Sequence, residues 1–292
     1  MKLHSINTGN FKLDGGAMFG VVPKSIWNKT NPADSNNMIN MAMRALLIED
    51  GKRLILIDNG MGAKQDAKFF SFYYPYGEDT LEKSLAKHGF TPNDITDVLL
   101  SHLHFDHCGG SINWNSDRTK LNLAFKNATY WCNERHWSWA TKPNVREKAS
   151  FLKENIMPIQ ESGHLKFLNP ATDANQTAGE YLASKELGEN ISIMLSSGHT
   201  DAMMHAHVKY KEKTIVYVAD LIPTSGHIPV PYVMGYDTRP LLTMAEKEKF
   251  LSKAVQDDYI LFFEHDPIVE CCSLQQTEKG VRLKEKFNLD VL

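Results

Sequence analysis

Three histidines and an aspartate fall within six residues of this chain, in Ser101-His102-Leu103-His104-Phe105-Asp106-His107-Cys108-Gly109-Gly110, directly after the apolar run Asp97-Val98-Leu99-Leu100. A short apolar run of that kind reads as a strand, so the ligand chemistry sits at a strand's C-terminal end. In extended backbone, residues two apart point the same way, and His102 and His104 can converge on one ion. Asp106 and His107, just past a bend, can face a second ion beside it. Neutral imidazole and carboxylate suit zinc and similar borderline metals. Gly109-Gly110 is expected to let the backbone turn away without steric conflict. A histidine-rich surface loop is the plain alternative. Three further candidates at strand ends weigh against it: His199 in Ser197-Gly198-His199-Thr200, Asp220 after 214–219, and His265 after 259–264.

Apolar, β-branched and aromatic runs predict strands at 43–48, 53–58, 97–101, 128–132, 191–196, 214–219 and 259–263. The stretch 45–58 reads as a hairpin with Asp50-Gly51 as its turn, and 203–210 with 214–219 reads as another. Helical spacing predicts helices at 79–88, closed by Gly89, at 144–156, ended by Pro158, and at 243–256. Two groups of strands, each with helices attached, suggest two sheets with helices outside them in one α/β domain. The region 113–188 is expected to supply loops and helices that cap the site.

Composition narrows the function classes. The 292 residues carry 32 basic and 35 acidic side chains, a net charge of -3, which argues against a nucleic-acid binder that relies on a basic face. With 42% hydrophobic and 23% charged residues, the balance is that of a folded globular chain. No run approaches the roughly 18 apolar residues needed to span a bilayer, and polar residues interrupt the N-terminus too early for a secretory segment. The expectation is a cytoplasmic protein without membrane contact. Four cysteines are too sparse for a disulfide scaffold. Cys132 and the adjacent Cys271 and Cys272 are expected to pack as reduced thiols, and Cys108 draws interest because it follows the histidine cluster.

HLHFDH, then GHT, a strand-terminal aspartate and a late histidine together resemble the metallo-β-lactamase superfamily in its two-metal hydrolase form, from Asp58 to His265. The resemblance implies an αββα sandwich, two mixed sheets with external helices, as a single domain over 1–292. It implies that His102, His104 and His199 hold one metal, that Asp106, His107 and His265 hold the other, and that Asp220 bridges both. Asp58 resembles the aspartate set behind the ligands to fix a histidine tautomer, and Thr200 belongs with it. Asp106 and Asp220 would carry the catalysis. Phe105 and the segments 14–24 and 219–224 are similar to the N-acyl-homoserine lactonases and methyl parathion hydrolase. Many such lactonases carry a tyrosine three residues after the bridging aspartate, where this chain has Pro223. A lactonase would then rely on the metals for most of the carbonyl polarisation, or Tyr232 or Tyr236 would have to reach in from the following loop. Phe105, Met18, Phe19, Trp27, Thr224 and His227 are the substrate-contact candidates, with Tyr73 and Trp114 as further pocket aromatics. His205 and His207, inside a predicted strand, read as packing or solvent-facing groups.

The leading functional expectation is a binuclear hydrolase in which a hydroxide held between two divalent ions attacks an ester-like bond. Zinc is the default ion, and manganese, iron or cobalt fit the same donors. A lactone of the N-acyl-homoserine type is the first substrate class. A phosphotriester or aryl ester is the alternative, and a metal-binding sensor without turnover is the reading from outside enzymology. The partners expected are a small-molecule substrate and, if the chain assembles, a second copy in a homodimer.

Overall fold

The computed structural model describes residues 1–168, 180–182 and 186–292. Part of the expected capping region, 169–179 and 183–185, lies outside these. In chain order the strands are β1 (Lys2–Asp14), β2 (Met38–Asp50), β3 (Arg53–Ile57), β4 (Asp97–Leu99), β5 (Ile112–Trp114), β6 (Leu121–Leu123), β7 (Thr129–Cys132), β8 (Leu165–Phe167), β9 (Glu180–Leu182), β10 (Ile191–Ser196), β11 (Met203–Tyr210), β12 (Lys213–Tyr217), β13 (Ile260–Phe262), β14 (Cys271–Thr277) and β15 (Gly280–Phe287). The helices are α1 (Gly15–Phe19), α2 (Lys24–Trp27), α3 (Ala67–Tyr73), α4 (Leu81–Lys87), α5 (Phe105–Cys108), α6 (Glu134–Thr141), α7 (Lys153–Glu161) and α8 (Pro240–Gln256). The chain divides into two compact units, Met1–Asn10 with Met43–Asn169, and Phe11–Ala42 with Pro170–Leu292.

The first unit is built on a sheet of order β1-β2-β3-β4-β7-β8. β2 and β3 form the expected antiparallel hairpin, closing at Asp50 opposite Arg53. Gly51 in the turn takes a φ of 61°, which glycine adopts without steric penalty. β3, β4, β7 and β8 then run parallel, so the sheet is mixed. Register lines up Leu47, Leu56, Val98 and Tyr130 in one row across it. All four are buried, in a cluster with Leu85 of α4, Trp137 of α6 and Ile156 and Ile159 of α7. Each such side chain stabilises the fold by roughly 1.5–3 kcal/mol. Ile55 and Ile57 are buried as well, which is why β3 reads as an unbroken apolar run rather than an alternating one.

The expected helix at 144–156 is displaced. Residues 145–150 are turns, Leu152 is the N-cap, and α7 runs Lys153–Glu161 with Pro158 inside it. Val145, which the helical spacing sets on the apolar face with Ala149, Leu152 and Ile156, is 98% exposed. Pro158 forfeits one backbone hydrogen bond, but Ile156 and Ile159 are both buried three residues apart, and that burial keeps the helix going for another turn.

The second unit is built on the order β15-β14-β13-β12-β11-β10-β9. It is mixed too, since β12 and β13 are parallel and the other neighbours antiparallel. The expected hairpin of β11 and β12 closes at Tyr210 opposite Lys213. α8 begins earlier than the periodicity indicates, because Pro240 is accepted at the first helical position. It buries Thr243, Glu246, Lys247, Phe250, Leu251 and Ala254. Lys247 spends its ammonium on three carbonyls, of His227 at 2.6 Å, Pro229 at 3.1 Å and Tyr232 at 2.7 Å, and so pins the loop after Asp220 to the helix. Among the described residues no helix is long and apolar enough to cross a membrane.

Candidate functional site

In the first unit the parallel register of β3 and β4 sets Ile57 opposite Leu99, and the Asp58 N–H donates to the Leu99 carbonyl at 3.0 Å. The two strand-end loops are thereby held side by side. Asp58 takes a left-handed φ of 57°, a strained conformation for a non-glycine residue. The strain aims its carboxyl group at the histidine motif. Oδ1 accepts from the Ser101 N–H at 2.7 Å, and Oδ2 accepts from the Ser101 hydroxyl at 2.5 Å and faces His107 Nδ1 at 3.1 Å.

Ser101 has only one hydroxyl hydrogen, and it goes to Asp58. Its oxygen is therefore left to accept from His102 Nδ1, 3.1 Å away, and the His102 lone pair lies at Nε2. That atom is 3.0 Å from His104 Nδ1. The chain then turns into α5, with His104 at its N-cap and Asp106 and His107 on its single turn. All four side chains are buried. The motif's backbone is held from outside by His136, whose Nε2 accepts from the Leu103 N–H at 2.9 Å.

Gly109 and Gly110 are needed for a reason other than backbone freedom. Gly109 has an ordinary helical φ of -61°, and neither residue is among those with positive φ. A Cβ at Gly109 would lie 2.1 Å from the Met61 carbonyl oxygen, and one at Gly110 2.2 Å from that of Asn59. Both obstacles are backbone, which cannot swing aside. Gly110→Ala is expected to cost about 3 kcal/mol, the upper range of overpacking. Denaturant unfolding measures this, and a midpoint equal to that of the unsubstituted protein would contradict it.

In the second unit β12 and β13 end side by side, Tyr217 opposite Phe262, so Asp220 and His265 leave neighbouring strand ends. Ala219, before Asp220, has a φ of 42°, a second strained residue beside a ligand candidate. Asp220 offers one oxygen to each of two imidazoles, Oδ2 at 3.1 Å from His199 Nε2 and Oδ1 at 3.3 Å from His265 Nε2. The far nitrogens are anchored on acceptors, His199 Nδ1 on Asp237 at 2.9 Å and His265 Nδ1 on the Ala42 carbonyl at 2.8 Å. Burial by itself pulls the His199 pKa down, but the Asp220 and Asp237 carboxylates outweigh it and raise the value to about 10. The loop before His199 is fixed by Glu246 of α8, whose carboxyl oxygens accept from the Ser197 and Gly198 N–H groups at 2.7 and 2.9 Å.

These arrangements fit a metal ion. In each unit a histidine keeps one ring nitrogen on a fixed partner and turns the other toward a further ring nitrogen or carboxylate oxygen at 3.0–3.3 Å. Such close pairs of ligand atoms are held together by a proton or by a metal, and buried imidazole and carboxylate donors suit divalent ions of the zinc type. A metal would displace the proton that His199 otherwise keeps.

The remaining candidates are placed as follows. Phe105 is buried against α3, its ring centroid 5.2 Å from that of Phe69 and 4.6 Å from that of Tyr73. Met18, Phe19, Trp27, Thr224 and His227 are interior groups of the second unit, each no more than 2% exposed. His227, one of the substrate-contact candidates, is stacked on Phe19 at 4.1 Å and uses both ring nitrogens, on Thr224 and the Met18 carbonyl. Burial lowers its pKa to about 3. Thr200 is buried beside His199, and Trp114 is 38% exposed. His205 is a packing residue that bonds Ser196 and the Val218 carbonyl, and His207 is buried between Phe250 and Tyr259. Cys108 is fully buried, which pushes its thiol up to about 12, so it is no nucleophile. Residue spacing gave no sign of Asp237, Glu246 or Glu147, because each meets its histidine or loop from a remote part of the chain.

A sequence profile of the family described as Metallo-beta-lactamase superfamily matches residues 44–265. An N-acyl homoserine lactonase of Bacillus cereus is 24% identical over 79% of this chain and 83% of its own length. A crystal structure of a probable metal-dependent hydrolase from Staphylococcus aureus superposes with a TM-score of 0.83 at 27% identity, covering 98% of both chains. A dizinc quorum-quenching lactonase, solved in complex with a product, superposes with a TM-score of 0.73 at 23% identity, over 98% of this chain and 97% of its own. At that last identity the likeness speaks for the fold.

Proposed function

The chain belongs to the metallo-β-lactamase superfamily and is a metal-dependent hydrolase, and on that premise we propose that it opens a small neutral lactone with the help of two divalent ions. The residues assigned to hold them are His102, His104 and His199 for one, Asp106, His107 and His265 for the other, and Asp220 for both. The observation that carries the reading is Asp220 itself, whose two oxygens each face an imidazole already anchored on its far side. When bound, the ions supply activation of water and polarisation of the scissile group. Asp58 orients His107 and, through Ser101, His102 in the tautomers that put the lone pair on Nε2. Asp237 and the Ala42 carbonyl do the same for His199 and His265.

Lactone is ranked first because the relatives carry that activity and because α3 offers an apolar wall for an acyl tail. Phe69 and Tyr73 pack on Phe105, between two motif ligands. With Pro223 in the tyrosine position, we assign the phenol that donates to the substrate to Tyr73. Burial, with the Asp106 charge adding to it, pushes that hydroxyl up to about 12, so it stays a donor across the working range. Tyr232 lies in the loop whose carbonyls Lys247 holds, and Tyr236 comes four residues after it.

The test compares an acyl-homoserine lactone, a simple lactone and an aryl phosphotriester at matched concentration on metal-replete protein. Faster turnover of the lactones is expected. Tyr73→Phe should lower kcat on them by about 10-fold, in line with loss of one hydrogen bond of roughly 1–1.5 kcal/mol. Turnover of the phosphotriester alone would reverse the ranking, and inactivity on all three with two ions bound would reject the substrate class.

A further inference from the structure

Glu147 is a buried carboxyl group for which the proposed reaction has no use. It lies in the turns between α6 and α7 and is 3% exposed. Its Oε2 accepts from the Trp139 indole N–H at 2.7 Å and from the Asn144 amide at 2.5 Å. Those two neutral donors hold Oε2, and Oε1 lies 3.5 Å from His104 Nε2, with both side chains buried. The same segment grips the histidine motif twice more. The Ser150 carbonyl accepts from the Phe105 N–H at 3.0 Å, and the Phe151 ring packs on the His104 ring with centroids 4.7 Å apart.

His104 differs from its neighbour in which nitrogen it presents. His102 turns Nε2 inward and Nδ1 toward Ser101, whereas His104 turns Nδ1 toward His102 and Nε2 toward Glu147. A carboxyl oxygen that faces a ring nitrogen favours hydrogen on that nitrogen, which leaves the lone pair on the other. We propose that Glu147 is a positioning residue that holds His104 as the Nε2–H tautomer, so that its Nδ1 is the ligand atom. The segment 147–151 is thus a clasp behind the motif, with carboxylate, carbonyl and aromatic ring each fixing one degree of freedom of His104 and its peptide. The inference rests on the metal-binding reading, and its test separates the two.

Long-range proton–nitrogen correlation NMR on metal-free protein reads the His104 tautomer directly and needs no variant. Nε2–H is the expected form, and Nδ1–H would overturn the proposal. In Glu147→Gln an amide can donate to Nε2 instead and drive the hydrogen to Nδ1. Competition against a chromophoric chelator should then show zinc binding at the first site weakened about 10–100-fold. The second ion should be held as before, and turnover should return to within a few-fold of normal at saturating zinc. Unchanged affinity in a Glu147→Gln protein of normal melting temperature would also overturn the proposal. Should Glu147→Gln fail to fold, Trp139→Phe, which removes only one of the two donors that aim the carboxyl group, is expected to weaken zinc binding in the same direction by less, and an unchanged value would count against the clasp. If the unsubstituted protein bound no zinc at all, the metal reading would fall while the tautomer measurement still decided the role of Glu147.

Discussion

Asp220→Asn is expected to lower turnover by at least about a hundredfold and to leave the chain with fewer than two ions. Partners that merely orient ligands cost up to about that much when removed, and Asp220 is placed to be a ligand itself. The substitution keeps the shape of the side chain but replaces one carboxylate oxygen with an amide that donates. Asp220 serves His199 with one oxygen at 3.1 Å and His265 with the other at 3.3 Å, so either orientation of the amide spoils one of the two. Kinetics and elemental analysis on the same preparation measure both effects. Near-normal turnover with two ions retained would falsify the assignment of Asp220.

Removal of metal is the second large effect. A strong chelator should abolish turnover, added zinc or cobalt should restore it, and the reconstituted protein should carry two ions per chain. The melting temperature of the stripped protein should fall by about 5–15 °C, because an ion held at a thousand times its Kd contributes about 4 kcal/mol. Without it, buried His102 faces another imidazole nitrogen, and Asp220 relies on protons to hold its histidines. Turnover that survives exhaustive chelation, or reconstitution that stops at one ion, would remove the two-metal reading.

The ligand candidates were legible because they are local to strand ends. His102, His104, Asp106 and His107 fall within six residues, and the rise of a strand followed by one helical turn already dictates which of them are neighbours. His199, Asp220 and His265 were found the same way, as chemistry-bearing residues at the ends of apolar runs that became β10, β12 and β13. The hairpin turns were equally local, since Asp50-Gly51 carries its own conformational preference. Pro158 shows where local rules lose: the chain gives up a backbone hydrogen bond there because Ile156 and Ile159 are buried.

The groups that orient those candidates are brought to them by tertiary structure. Asp58 was named by resemblance alone, and the fold brings it to His107 across 49 residues, while Asp237, which nothing in the sequence marked, reaches His199 across 38. The same holds for Glu147, which the sequence places in a region read only as a cap. It holds also for His227, whose motif-like setting gave no hint that Phe19 and the Met18 carbonyl would enclose it. By itself, the sequence determined which residues are candidates to bind a metal, because donor type and spacing along a strand or turn are properties of the local chain. Only the folded chain decided which nitrogen of each histidine bears the hydrogen, because that depends on the acceptor brought to its far side from elsewhere in the sequence.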